Sequence, residues 1–372
     1  MNALGIIFSD MQDWSMTELA SHRSVSAIPF GGRYRLIDFP LSNMVNSGIN
    51  KVCIITKSNY RSLMEHVGSG KDWDLSRKKG GILIFPPYAV GENHGLFQGR
   101  LDALKRVLDY ISSSKEKYVI LSDCDIIYNI NYKDVIKYHE EKNSDITAVY
   151  IKTNINNNNS THKIIYRFDD DKRASDILVY PVTNGVHDIG LNTWVMNKDF
   201  LESLIHDAIA RNYKDFSYDV LARKVHSLRI YGYEYQGYYA HIDSFQSYYD
   251  NSIGLLKNDN LSKLFYSKTG PIYTKTKDST PTKYCNDSNV KNSLIASGCI
   301  IEGTVENSII FRNVKIGKNT VVKNSIIMQH GIIGENAQLN SIITDTYVQV
   351  TNDRVLLGYS NCPFFIKKYS IV

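Results

Sequence analysis

The chain has 372 residues, 43% apolar and 22% charged, with a net charge of +5. That length allows two domains with separate cores, and the composition is that of ordinary globular protein. The charge is spread along the chain, and clusters such as Arg77-Lys78-Lys79 follow acids (Asp72, Asp74), so nucleic acid is not an expected partner. The five cysteines (Cys53, Cys124, Cys285, Cys299, Cys362) lie far apart with no CxxC pair, which argues against a zinc site or disulfide framework and for a reducing, cytoplasmic compartment. The start, "MNALGIIFSD", lacks a basic region and a long apolar core, and no window reaches the roughly 18–20 apolar residues of a membrane span. Neither export nor membrane insertion is expected.

In chain order, Leu4 to Phe8 predicts a buried first strand. It gives way to "SDMQDWSMTELASHRSVSAIPFGG". In many nucleotide-binding α/β proteins a loop in this place is glycine-rich and cradles phosphate. Here it carries Asp10 and Asp13, and no glycine follows Phe8 until Gly31. "NKVCIIT" (50–56), "KYVILSD" (117–123) and "SDITAVYI" (144–151) read as strands. Between the first two, "GRLDALKRVLDYI" places Leu101, Leu104, Val107, Leu108 and Ile111 on one face at helical spacing, which predicts a helix packed on the sheet. "NINNNNSTHK" has no apolar periodicity and reads as a surface loop. Strand-like runs alternating with helical patterns predict an α/β sheet with helical crossovers over 1–255.

In "SKTGPIYTKTKDSTPTKY" (267–284) Pro, Thr, Lys and Gly displace the periodic apolar positions, as in an extended linker, placed at 256–285. Beyond it the sequence repeats itself. "NSLI" at Asn292 is followed by "NSII" at Asn307, Asn324 and Asn340, in steps of 15, 17 and 16 residues, with an apolar residue about every six positions between them. Hexad repetition of this kind builds a parallel β-helix in which each short strand buries its apolar residue against the coil above or below. Such a solenoid over 286–372 leaves open ends and flat faces, so contact with the other domain or another subunit is expected.

"SAIPFGGRYRLIDFPLSNMVNSGINKVCIIT" (26–56), "LFQGRLDAL", "DCDIIYNINY" and "DFSYDVLARK" together closely resemble the ADP-glucose pyrophosphorylases. The resemblance spans nearly the whole chain. It implies a Rossmann-like nucleotidyltransferase domain with a mixed, mostly parallel sheet, then a left-handed β-helix, and an ancestry in joining glucose-1-phosphate to ATP for bacterial glycogen synthesis.

The catalytic motif departs from that pattern. The family's first loop reads A-G-G-x-G-T-R-L and ends in A-K-P-A-V-P-F-G-G. Its three glycines fall on Asp10, Met11 and Asp13, its arginine on Ser15 and its lysine on Val25. Glycine lets backbone N–H groups approach the triphosphate, and the cations neutralise charge that develops as pyrophosphate leaves. Losing one such donor typically costs on the order of a hundredfold to a thousandfold in rate. Catalytic members hold Mg²⁺ with two aspartates. Asp125 stands at the first position and Tyr238 at the second, in "QGYYAHIDSF" laid on W-R-D-V-G-T-I-D-S-Y. No metal or other cofactor is therefore expected here. Asp243 matches the later acid of that pattern, but its odd separation from position 238 would aim it at the opposite face of a strand.

Gly99 and Asp102, in "LFQGRLDAL", and Gly190, where the serine of A-S-M-G falls, complete the substrate-like pocket that the resemblance implies. Asp125 also reads as a strand-end turn residue, and Asp102 as a first-turn acid suited to the helix dipole. His22, Arg23, Arg33 and Arg35 cluster around the P-F-G-G turn, where the family uses basic residues for sugar-phosphate effectors; solvated surface charge explains them equally well.

The resemblance thus implies a non-catalytic, regulatory-type subunit with little or no activity alone, accompanying a catalytic paralogue in a heterotetramer. One alternative is a divergent sugar-1-phosphate nucleotidyltransferase using Asp125 and Asp243. Another, a hexapeptide-repeat acyltransferase, would need a histidine in the repeats, where His330 stands alone.

Overall fold

A computed structural model describes residues 2–9, 17–87, 97–155, 162–257 and 259–372. The substituted loop positions Asp10, Met11, Asp13 and Ser15, and most of "NINNNNSTHK", lie outside them.

The first strand runs Ala3–Phe8 and every residue in it is buried. It pairs in parallel with Lys51–Ile55 on one side and Tyr118–Asp123 on the other. Leu4, Ile6 and Phe8 enter one core while Ala3 and Ile7 enter the other. Both faces of the sheet centre are therefore covered, which is why these strands read as continuous apolar runs. Gly81–Phe85 extends the parallel side. On the other side the long strand Gly185–Asn197 runs antiparallel to Tyr118–Asp123, Ile146–Ile155 and Ile164–Phe168. Ala174–Val179 and Ile230–Glu234 complete a mixed nine-stranded sheet.

The helix predicted over "GRLDALKRVLDYI" is two helices, Arg100–Arg106 and Leu108–Ser112. They part at β-branched Val107 (φ −109°, ψ 14°), whose N–H bonds back to the carbonyl of Leu104, only three residues away. Leu101, Leu104, Val107 and Ile111 are still buried on the sheet, and Leu108 packs against the same core.

The stretch after the sheet is extended but strapped down. Asn129 Nδ2 donates to the carbonyl of Gly270, the N–H of Tyr273 to Ser42 Oγ and the N–H of Thr276 to Asp72 Oδ1. Ile272 is buried. Segment 256–285 also holds helix Asn260–Phe265 and the first strand of the solenoid, Lys283–Tyr284.

Residues from 283 onward form a left-handed parallel β-helix of three five-stranded parallel sheets. In one of them Asn289 pairs with Thr304, Thr304 with Val321, Val321 with Gln338 and Gln338 with Val355. The coil thus settles at 17 residues after a first step of 15. The fourth quartet, "NSII" at Asn340, slips by one within it. Asn292, Asn307 and Asn324 occupy left-handed corners (φ 43°, 47° and 47°), but in the next coil Ser341 takes the corner (φ 54°) and Asn340 lies in register with Lys323. Asparagine tolerates that conformation because its short amide bonds locally. The corner amides also ladder, Asn292 Nδ2 donating to Asn307 Oδ1 at 2.7 Å.

The paired isoleucines of the quartets have two destinations. Ile310 and Ile327 fill the solenoid interior, while Ile309 and Ile326 join the core of the α/β body together with Phe30, Tyr248, Leu255 and Leu264. After the slip, Ile343 is the residue that reaches that body and Thr344 stands in register with Ile327. The two halves of the chain therefore share one apolar core. Among the described residues no helix is long and apolar enough to cross a membrane.

Candidate functional site: an acidic cluster filled from within

Strand Tyr118–Asp123 ends on Asp123 and leads into the turn that holds Asp125, at the carboxyl end of the sheet strands, the usual place for ligands in α/β folds. Two devices fix the turn. Cys124 Sγ lies 3.1 Å from the carbonyl of Ser9, and the N–H of Ile242 donates to the carbonyl of Asp125 at 2.8 Å. Beyond the turn, Ile126–Ile127 pairs antiparallel with Ala240–His241, His241 lying opposite Ile126. This short ribbon carries His241 to Asp125.

His241 Nε2 stands 3.6 Å from Asp125 Oδ2, and its Nδ1 stands 3.7 Å from Asp243 Oδ2. These are ion-pair distances rather than hydrogen bonds. All three side chains are buried. Burial works against a charged imidazole, but Asp125 and Asp243 outweigh it and raise the His241 pKa; Lys163 opposes them. Lys163 is half-buried and lowered by that burial, with the charge of Asp243 pulling the other way.

Strand alternation does not turn Asp243 away. The strand ends at His241, and Asp243 lies on the turn into helix Phe245–Gly254. Its N–H, like that of Ser244, donates to Ser247 Oγ, and Ser244 and Ser247 form a capping box.

Asp123 is held separately. Arg100 Nε donates to Asp123 Oδ1 at 3.0 Å and Nη2 to Oδ2, a bidentate pair at 3% and 6% side-chain exposure. The guanidinium also lies over the Trp194 ring, 5.5 Å from its centre. Burial disfavours its charge, yet Asp123 keeps Arg100 firmly protonated. Three carboxylates are thus met by three basic side chains of the same chain.

Magnesium makes demands that can be set beside this donor set. A hard dication takes anionic oxygens at about 2.0–2.1 Å and retains water. One oxygen of Asp125 and one of Asp243 face the imidazole instead. Tyr238 offers a half-buried phenol packed on the larger core, with burial raising its pKa. Among the described residues, no group of three His, Cys, Asp or Glu side chains could hold a metal ion. The set does not fit the metal.

Other positions have structural work. Val25, where the family has lysine, is buried in the 3₁₀ turn Val25–Ala27. A Cβ on Gly99 would lie 2.4 Å from the carbonyl oxygen of Lys214, and one on Gly190 2.7 Å from the Tyr166 ring. Asp102 accepts the N–H of Gln98 at 3.1 Å and pairs with Arg106 at 3.7 Å.

The four proposed anion ligands have different surroundings. Arg23 is buried and pairs with Asp345 of the β-helix at 2.5 Å, so its charge is already compensated. His22 is exposed. Arg35 donates to the carbonyl and hydroxyl of Ser62, and burial lowers it to about 10, with Asp38 resisting and Arg23 assisting. Arg33 donates to the Tyr34 hydroxyl at 2.8 Å and lines a cavity of about 550 Å³ where the α/β body meets the β-helix.

Arg312, from the β-helix, lines the same cavity. Burial lowers its pKa, Arg33 adds to that, and Asp38 and Tyr34 resist. Lys277 is lowered by burial and then by Arg35, Arg312 and Lys275. The carboxylate of Asp38 is already engaged by His66 at 2.6 Å and the N–H of Arg35 at 3.0 Å.

Sequence reasoning missed Arg100, Asp123, His241, Lys163 and Arg312. Two left a signal. Arg100 and His241 each stand where the family pattern has threonine, in W-Y-R-G-T-A-D-A laid on "LFQGRLDA" and in W-R-D-V-G-T-I-D-S-Y laid on "QGYYAHIDSF".

Residues 16–256 match the nucleotidyl transferase family, and residues 280–361 match the GlmU-like C-terminal hexapeptide family. The chain is 38% identical over 365 residues to the glycogen biosynthesis protein GlgD of Bacillus subtilis (strain 168), covering 98% of this chain and 95% of that one. It is 38% identical over 323 residues to the protein of the same name from Geobacillus stearothermophilus, covering 86% and 82%. Against the glucose-1-phosphate adenylyltransferase of Clostridium botulinum (strain Alaska E43 / Type E3) the identity is 33% over 307 residues, covering 80% and 77%. The chain belongs to the nucleotidyl transferase family, within the group formed by the glucose-1-phosphate adenylyltransferases and GlgD.

Proposed function

We propose that this chain is a regulatory, catalytically deficient subunit that modulates a catalytic glucose-1-phosphate adenylyltransferase paralogue making ADP-glucose for glycogen synthesis, within a hetero-oligomer. The observation that carries this reading is the filled acidic cluster: Asp125 faces His241, Asp123 is taken by Arg100, and Tyr238 stands where a second carboxylate would be needed. Nucleotidyl transfer depends on charge stabilisation by metal and cations around the phosphates. The relatives named GlgD support the assignment to glycogen synthesis. An assay of the purified chain for ADP-glucose formation tests the deficiency. The expected result is no turnover above background; robust turnover abolished by Asp125→Ala would overturn the reading.

A regulatory subunit needs something to sense, and the cavity holding Arg33 and Arg312 supports a multiply charged anion of the sugar-phosphate class. It lies between the two halves of the chain, so such a ligand would bias their packing.

One observation favours a divergent active enzyme. Asp125 Oδ1 is buried without a hydrogen-bond partner among the described residues. That alternative requires metal-dependent nucleotide affinity, which calorimetry with ATP and with UTP in Mg²⁺ measures directly.

A further inference from the structure

In this chain a single imidazole lies between two buried carboxylates that come from separate turns. The His241 and Asp125 side chains are each 7% exposed and that of Asp243 6%. Each ring nitrogen faces a different carboxylate oxygen, Nε2 toward Asp125 and Nδ1 toward Asp243. The backbone holds the ring there from both ends, through the ladder opposite Ile126 and through the Ile242 N–H on the Asp125 carbonyl.

We propose that His241 is a built-in occupant of the space between Asp125 and Asp243, and that the ring excludes divalent cations from this acidic pair. A cation of that kind would have to approach each carboxylate to about 2.0–2.6 Å. The ring nitrogens already stand 3.6 Å and 3.7 Å from the two facing oxygens, and Arg100 withdraws Asp123 from the ligand set. The unpartnered Oδ1 of Asp125, even with the second oxygen of Asp243, falls short of the six or more oxygens that such a cation takes. The pair is therefore a cation site in charge and burial, closed by one side chain. The inference deepens the catalytically deficient reading, on which it rests, by naming the residue that keeps the metal out.

The test is Mn²⁺ uptake by the full-length chain, followed through the electron paramagnetic resonance signal of free Mn²⁺. Wild type is expected to leave the ion free. His241→Ala and, as a smaller change that keeps an amide, His241→Asn are expected to bind one Mn²⁺ at least roughly tenfold more tightly than wild type, about 1.4 kcal/mol. Adding Asp125→Asn to either should remove the gain.

The inference is overturned if wild type takes up Mn²⁺ and Asp125→Asn abolishes that uptake, a result that needs no His241 variant to fold. It is also overturned if a His241 variant retains the wild-type thermal transition but binds no more Mn²⁺. A wild type that binds Mn²⁺ through Asp125 yet forms no ADP-glucose sinks the inference and leaves the proposed function standing. One that binds no Mn²⁺ yet turns over sinks the proposed function.

Discussion

Arg23 Nη2 and Asp345 Oδ1, separated by 322 positions in sequence, form a 2.5 Å ion pair buried between the α/β body and the β-helix. Arg23 also lies 3.8 Å from Met328 Sδ, whose side chain belongs to the core shared by both halves. The pair fixes the segment that follows the altered loop against the solenoid. Removing one partner strands the other charge in a dry interface. Arg23→Met is expected to destabilise by about 3–5 kcal/mol. The double variant Arg23→Met, Asp345→Leu should recover most of that loss. Urea midpoints of the two singles and the double give the coupling; additive losses would show that the pair is not what holds the interface.

Gly190 carries a second constraint. The substitution Gly190→Ser would restore the family's residue type, but the added Cβ would meet Tyr166 Cε2 at 2.7 Å. The Tyr166 ring is tethered, since its hydroxyl accepts from Trp194 Nε1 at 3.0 Å. Overpacking of this kind costs about 1–3 kcal/mol. Gly190→Ser should therefore lower the melting temperature and restore no activity, whereas Gly190→Ser with Tyr166→Ala should unfold no more easily than Tyr166→Ala alone.

Corner asparagines make a third test. Asn307 has φ 47° and its Oδ1 accepts from Asn292 Nδ2. Asn307→Ala loses the amide and leaves an alanine in the left-handed region, at about 1–2 kcal/mol. Asn307→Gly keeps the conformation and should cost clearly less in the same denaturation series.

Acid should weaken the fold through His139. Burial lowers its pKa to about 4, with Glu140 and Asp145 resisting. Its Nδ1 and Thr147 Oγ1 are 2.9 Å apart. The folded pKa is below the unfolded value near 6.5, so the unfolded chain binds more protons between about pH 6.5 and 4. The contribution is thus present above that window and lost as pH falls through it, on the order of 3 kcal/mol in full. His139→Asn should flatten the pH dependence of the urea midpoint across this window; an unchanged slope would remove His139 as the cause.

The cationic cavity makes a prediction about anions. Inorganic phosphate at about ten times its dissociation constant should stabilise the chain by about 1.4 kcal/mol, roughly 2 °C for a protein of this size. Arg33→Ala with Arg312→Ala should erase that shift. A shift of equal size in the double variant would place the anion elsewhere.

How much was legible follows from what the repeats and the motifs constrain. Strand positions were legible because both sheet faces are buried, and the solenoid because Ile309, Ile310 and their equivalents recur each coil. The one-residue slip at Ser341 was not, since "NSII" at Asn340 looks like its predecessors until pairing to Lys323 is known. In the site, the loss of the second carboxylate at Tyr238 was visible in sequence. Its compensation was not, because Arg100 meets Asp123, and His241 meets Asp125, only through long-range pairing of strands. Arg23 looked like an anion ligand for the same reason: Asp345 comes from the other end of the chain.

The proposed regulatory role requires a catalytic partner. Mixing the chain with the catalytic glucose-1-phosphate adenylyltransferase paralogue from the same source, and measuring assembly mass by light scattering alongside ADP-glucose kinetics, decides whether it has one. The regulatory reading requires a hetero-oligomer heavier than either species alone, with altered kinetic constants that do not depend on Asp125. A mass equal to the separate species, with unchanged kinetics, would contradict it.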